Sequence, residues 1–214
     1  MIRVRFPVEL RRLVHSSEFI VHSSQFIVKN QDLFPLADES FYFLMPYRFC
    51  PLCGSRRFAV SGERSRRCAD CGFELFQNAS AAVAAFIVND KGELLVCRRA
   101  KEPARGTLDL PGGFVDPDET LEQALQRELT EELGCAPATV GYLFSLPNRY
   151  AWGDVVVPTT DCFFRCTLPE GASPKANDDV EAIRWIPLSD VRPADFGLRS
   201  IAEAVERFLR TIDN

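Results

Sequence analysis

The stretch Leu110-Pro111-Gly112-Gly113-Phe114-Val115-Asp116-Pro117-Asp118-Glu119 and its continuation Thr120-Leu121-Glu122-Gln123-Ala124-Leu125-Gln126-Arg127-Glu128-Leu129-Thr130-Glu131-Glu132-Leu133-Gly134 decide how this chain is read. The second part predicts a helix with both ends written in. Thr120 and Gln123 form a capping-box pair, and Gly134 stands where a left-handed C-cap belongs. Leu121, Leu125, Leu129 and Leu133 recur every four residues and make one buried stripe. Beside it, Glu128, Glu131 and Glu132 stand at i, i+3 and i+4, so their carboxylates share a face near the helix C-terminus. Anions there oppose the macrodipole by about 0.3 to 1 kcal/mol each. The spacing places no protein cation among them. Either the face is solvated, or a hard divalent cation offsets the repulsion, magnesium in particular. The paired glycines just upstream let backbone approach a ligand or metal closely.

Working outward, Ala81 to Val88 and Leu94 to Arg98 read as strands joined by Asn89-Asp90-Lys91-Gly92, residues that favour a tight hairpin. After the helix come strand-like runs at Val140 to Leu146, Val155 to Val157, Cys162 to Leu168 and Ile183 to Ile186, then an amphipathic helix from Ile201 to Leu209. This order predicts an α+β fold, an α/β/α sandwich. The 214 residues, 46% of them hydrophobic, suffice for one ordinary core and a small module beside it.

That module is announced by Cys50-Pro51-Leu52-Cys53 and Cys68-Ala69-Asp70-Cys71, each pair followed by glycine. Two such pairs suit tetrahedral thiolate ligation of a structural zinc, the pattern of a zinc ribbon. No secretory signal is apparent, so a cytoplasmic location is expected, where disulfides are disfavoured. Cys97, Cys135, Cys162 and Cys166 lie in apolar contexts and read as core. The expected layout is an N-terminal extension over 1–44, the ribbon over 45–78 and the larger domain over 79–214. The extension holds a tandem heptad, HSSEFIV from His15 and HSSQFIV from His22, too short for a solenoid. It carries no recognisable chemistry, so a chain starting at Met45 is expected to match the full one in activity.

A formal charge of -5 gives no overall footing for nucleic acid or an anionic membrane, and neither is expected as a partner. The longest apolar runs fall far short of the roughly 20 residues that cross a bilayer. Arg56, Arg57, Arg64, Arg66 and Arg67 do form a local basic patch in the ribbon. It reads as a solubilising surface in preference to a nucleic-acid contact. A homodimer is left open.

Gly113, Glu119 and the run Arg127 to Gly134 resemble the box of the Nudix hydrolases, with Cys135 alone departing where an aliphatic residue is usual. The resemblance implies a Nudix-type sandwich in which Glu128, Glu131 and Glu132, with the Gly112 carbonyl, ligate magnesium or manganese. It also implies that Arg127 pairs with Glu119 to brace the loop. Family members often add an acid before a late Arg-Trp strand, which here is Arg184-Trp185, and the matching position is Asp179, as ligand or base. Arg98 and Arg99 are candidates for phosphate contact, although neighbouring strand residues face opposite sides. The ribbon resembles that of the NADH pyrophosphatase branch, of whose Ser-Gln-Pro-Trp-Pro-Phe-Pro run only the Ser and the first Pro are kept. In its place stands Ser145-Leu146-Pro147-Asn148-Arg149-Tyr150-Ala151-Trp152. Tyr150 and Trp152 offer flat surfaces for a base, and Asn148 and Arg149 suit a ribose or phosphate. The expected substrate is therefore a small nucleoside diphosphate derivative such as ADP-ribose, cut at its diphosphate. NADH is the first alternative, and a non-catalytic nucleotide sensor whose ribbon contacts nucleic acid is the second.

Overall fold

The computed structural model describes residues 47–153, 155–178 and 180–212. The extension with its duplicated heptad, and Asp179, lie outside the described residues.

Three short strands, β1 (Phe58–Gly62), β2 (Ser65–Cys68) and β3 (Glu74–Phe76), form an antiparallel sheet in the order β1-β2-β3. Its apolar centre is only Cys50, Phe58 and Cys68, with Phe73 and Leu75 against them. A core that small holds a fold when metal ligation or disulfides supplement it.

The remaining strands and α-helices are β4 (Ser80–Ile87), β5 (Glu93–Arg99), β6 (Leu108–Asp109), β7 (Gly112–Phe114), α1 (Leu121–Leu133), β8 (Thr139–Trp152), β9 (Val155–Thr167), β10 (Val180–Pro187) and α2 (Arg199–Ile212). One sheet runs β7-β4-β9-β8 with β4 and β9 parallel, and the other runs β10-β5-β6. Strand alternation divides the core. Ala84 and Phe86 of β4 and Phe163 of β9 pack with Ile201, Ala204, Val205 and Phe208 of α2. Val83, Ala85 and Ile87, with Cys162, Phe164 and Cys166, pack with Ala124, Leu125, Leu129 and Leu133 of α1. Each strand face thus meets a different helix, which makes the layers α/β/α. Phe86 and Phe208 stack at 4.1 Å. Cys97 joins Cys162 and Cys166 in burial, whereas Cys135 is half-buried.

Three expectations need correction. The turn at residues 89–92 forms, with Asn89 Oδ1 accepting from the Lys91 and Glu93 amides at 2.9 and 3.0 Å, but the flanking strands are not a hairpin. After one bridge, Val88 to Leu94, they part into different sheets, because β4 is already flanked by β7 and β9 and β5 by β10 and β6. Second, the strand expected to end at Leu146 does not end there. β8 continues through Pro147 to Trp152, and β9 pairs with it along nearly its whole length. β8 is an edge strand, where a proline forfeits no central ladder bond, and Pro158 of β9 precedes the first β4 pairing at Thr159. Third, Gly112 to Phe114 is itself a strand, paired to Ala84, Val83 and Ala82.

Candidate active site

β7 ends beside α1, and its glycines are explained by what surrounds them. A Cβ on Gly112, where φ is 146°, would overlap the Val83 carbonyl, and one on Gly113 would overlap the Glu128 carboxylate. The second contact involves a side chain from the acidic helix, so any residue larger than glycine there would displace Glu128. The Gly112 amide donates to Glu132 Oε2 at 2.9 Å.

The capping box and left-handed C-cap on α1 are both present. Glu132 is buried, Glu128 is half-buried and Glu131 is exposed at the rim. Glu128 and Glu132 line a cavity of about 360 Å³ together with Gly112 and Gly113, whereas Glu131 stands outside it. Burial pushes the Glu128 carboxyl up from its usual range, and the neighbouring Arg127 pulls it back only in part.

The expectation of no protein cation among the acids is overturned. Arg127 donates from one terminal nitrogen to Glu128 at 2.8 Å and Glu131 at 3.2 Å. Its Nε and other terminal nitrogen grip Glu119 at 2.8 and 2.9 Å, and the latter also reaches the Phe114 carbonyl at 3.0 Å. The pairing of Arg127 with Glu119 that the resemblance implies is present, and a forked guanidinium has donors enough for both sides. Arg127 hydrogen bonding holds the Glu119 carboxyl below its usual range. A depressed acid stabilises the fold above its unfolded value and loses that contribution as pH falls through the folded one. Arg127→Ala is therefore expected to lower stability near neutrality, from the loss of charged hydrogen bonds. The deficit should shrink on acidification below about pH 4, as thermal melts across pH would show.

The cavity is also lined by Asn148, Tyr150 and Trp152. These alternate residues of β8 share one face, so Arg149 between them points the other way and does not line the cavity. That corrects the pairing of Asn148 with Arg149 as readers of ribose or phosphate. Tyr150 meets Phe114 edge-on at 5.3 Å and lies 6.2 Å from Trp152, which is 64% exposed. Arg98 and Arg99 both border the cavity. Arg98 bonds the Gly106 carbonyl at 3.1 Å and approaches Glu181 at 3.6 Å. Arg99 bonds the Pro103 carbonyl at 2.7 Å, the Tyr150 hydroxyl at 3.2 Å and Asp109.

Sequence reading missed Asp109 and Asp161, buried carboxylates in the cavity wall. Thr159 and Ser200 each donate to Asp161 at 2.5 Å. An aspartate set between Thr160 and Cys162 in an apolar strand was the available signal. Asp178 and Val180, which flank Asp179, line the cavity.

In the ribbon, the sulfurs of Cys50, Cys53, Cys68 and Cys71 all lie within 4.8 Å of one another. Cys50 to Cys71 and Cys53 to Cys68 are each 3.6 Å, far from a disulfide and close to the edge of a tetrahedron around a metal about 2.3 Å from each sulfur. Gly54 and Gly72, both left-handed, return their amides to the Cys50 and Cys68 carbonyls at 2.9 and 3.0 Å. Of the basic patch, Arg57 pairs with Asp70, Arg66 donates to the Tyr47 and Phe58 carbonyls, and Arg56 lies over Phe49 at 5.5 Å. Among the described residues no helix is long and apolar enough to cross a membrane.

A glycine strand abutting an acidic helix within an α/β/α sandwich defines a class of fold, and family comparison agrees with it. The NUDIX domain model matches residues 79–208, and the chain belongs to the Nudix family. The NADH pyrophosphatase zinc ribbon domain model matches residues 47–76, so the four-sulfur cluster is a zinc-ribbon site. The chain is 30% identical over 159 residues to an NAD-capped RNA hydrolase of Deinococcus radiodurans, covering 73% of this chain and 54% of that protein. It therefore spans little more than half the length of that relative. It is also 30% identical to an ADP-ribose pyrophosphatase of Methanocaldococcus jannaschii, covering 64% of this chain and 78% of the other. A Nudix hydrolase structure from Nitrosomonas europaea superposes with a TM-score of 0.59 at 23% identity, covering 76% of this chain and 90% of that one.

Proposed function

We propose that the chain hydrolyses the diphosphate linkage of a nucleoside diphosphate derivative of the ADP-ribose type, with magnesium or manganese. One observation carries the reading. A single cavity is lined both by Glu128, Glu132 and the Gly112-Gly113 strand and by Asn148, Tyr150 and Trp152 of β8. The first group suits a cation-held diphosphate and the second a base and ribose.

The donor set fits a hard divalent cation, since half-buried and buried carboxylates at i and i+4 share the cavity beside a backbone no side chain can crowd. Glu128, Glu131, Glu132 and the Gly112 carbonyl would hold it, and when bound it supplies charge neutralisation at the phosphate oxygens and a more acidic water. Arg127 keeps Glu128 and Glu131 oriented, and the Gly112 amide does the same for Glu132. A carboxylate accepts the water's proton, and Asp179, between two cavity-lining residues, is proposed for that role or as a further ligand. Arg98, Tyr150 and Trp152 are proposed to bind substrate. The cysteines are proposed to hold a structural zinc that takes no part in the reaction.

The NAD type of substrate is the second reading, favoured by the ribbon match and by the relatives named NAD-capped RNA hydrolases. Steady-state kinetics with magnesium separates the two. ADP-ribose is expected to show a higher kcat/KM than NADH, and Tyr150→Ala to raise KM more than it lowers kcat. A clear preference for NADH reverses the order, and nucleotide binding without hydrolysis of any diphosphate replaces both with a sensor.

A further inference from the structure

Arg99 leaves β5 toward the cavity with its side chain only 16% exposed. An arginine that grips phosphate turns its fork toward the ligand. This one turns its fork toward the protein. Nε donates to the Pro103 carbonyl at 2.7 Å, one terminal nitrogen to Asp109 and the other to the Tyr150 hydroxyl at 3.2 Å. The three acceptors belong to the loop after β5, to β6 and to β8, so a single side chain ties the β8 edge to the floor of the cavity.

Asp109 is the reason the fork points this way. It is 92% buried, being 8% exposed, and its other oxygen accepts the Leu110 amide at 2.8 Å, two residues before Gly112. A buried carboxylate needs a charged donor, and Arg99 is placed to supply it. Tyr150 carries the restraint onward, since its ring stands edge-on to Phe114, whose own carbonyl is held by Arg127.

We infer that Asp109 and Arg99 are positioning residues for recognition of the base. Asp109 orients Arg99, Arg99 fixes the Tyr150 phenol, and the fixed ring presents a flat face on which a nucleobase stacks. This rests on the proposed role of the Tyr150 face in substrate binding. It gives Arg99 a part that acts through Tyr150 and replaces direct phosphate contact.

The test is a double-mutant cycle on ADP-ribose hydrolysis with Arg99→Gln, Tyr150→Phe and the pair, alongside inhibition by inorganic pyrophosphate, which has no base. Each single variant is expected to raise KM about fivefold with kcat within twofold, and the pair to be no worse than Arg99→Gln alone. Asp109→Asn should behave like Arg99→Gln, and pyrophosphate inhibition should be unchanged throughout. Should Arg99→Gln fail to fold, Tyr150→Phe, which removes one hydroxyl, still reads the KM rise. Additive effects, or pyrophosphate inhibition weakened as much as ADP-ribose turnover, overturn the inference in favour of direct phosphate contact. A ligand-free measurement separates this from failure of the proposed function. Amide hydrogen exchange over residues 148–152 is expected to quicken in Arg99→Gln and Tyr150→Phe alike, while α1 is unaffected. Unchanged exchange overturns the positioning role even if some other substrate is found.

Discussion

Glu132→Gln is expected to lower kcat/KM by about 10² to 10³, the scale of several kcal/mol that a well-placed metal contributes to charge stabilisation. Of the three helix acids, Glu132 is the most buried, and it faces the cavity while accepting from the Gly112 amide. Glutamine keeps the shape and leaves an amide oxygen for Gly112, so β7 should stay in place. It removes the negative charge and the second anionic oxygen that a hard cation requires. Melting temperature should therefore hold within a few degrees while turnover collapses. Full wild-type hydrolysis in excess chelator would sink the metal assignment, whatever this variant did.

The second large effect concerns the ribbon. Removing zinc, or replacing Cys68 with serine, is expected to unfold residues 47–76, because their apolar centre is three buried residues with two more alongside. Ligation of a structural zinc contributes an apparent ~10 to 16 kcal/mol in small modules, more than such a core supplies unaided. Elemental analysis should find one zinc per chain, and circular dichroism should show loss of strand signal on chelation. Zinc-free protein with all four cysteines protected from alkylation would point to disulfides, against the 3.6 Å sulfur separations.

Much of the site was legible because it is local. The i, i+3, i+4 spacing of Glu128, Glu131 and Glu132, the capping box and the Gly134 cap all lie within one helix, whose geometry is fixed by its own periodicity. Two CxxC pairs work the same way, since each knuckle is a short turn closed on a glycine. What failed depended on partners distant in the chain. The 89–92 turn predicted a hairpin correctly as a turn and wrongly as a pairing, because strand partners are chosen by the whole sheet.

The sequence by itself determined the acidic helix, the glycine pair before it and the four-thiolate cluster, since each is written within a few consecutive residues. Tertiary structure alone decided that Asn148, Tyr150 and Trp152 face the cavity while Arg149 does not, because that follows from β8 running on as an edge strand against β9. It alone gave Arg99 to Asp109 and Tyr150. Side-chain reach is a matter of space, and residues 51 apart in the chain, as Arg99 and Tyr150 are, become neighbours only when two sheets are packed.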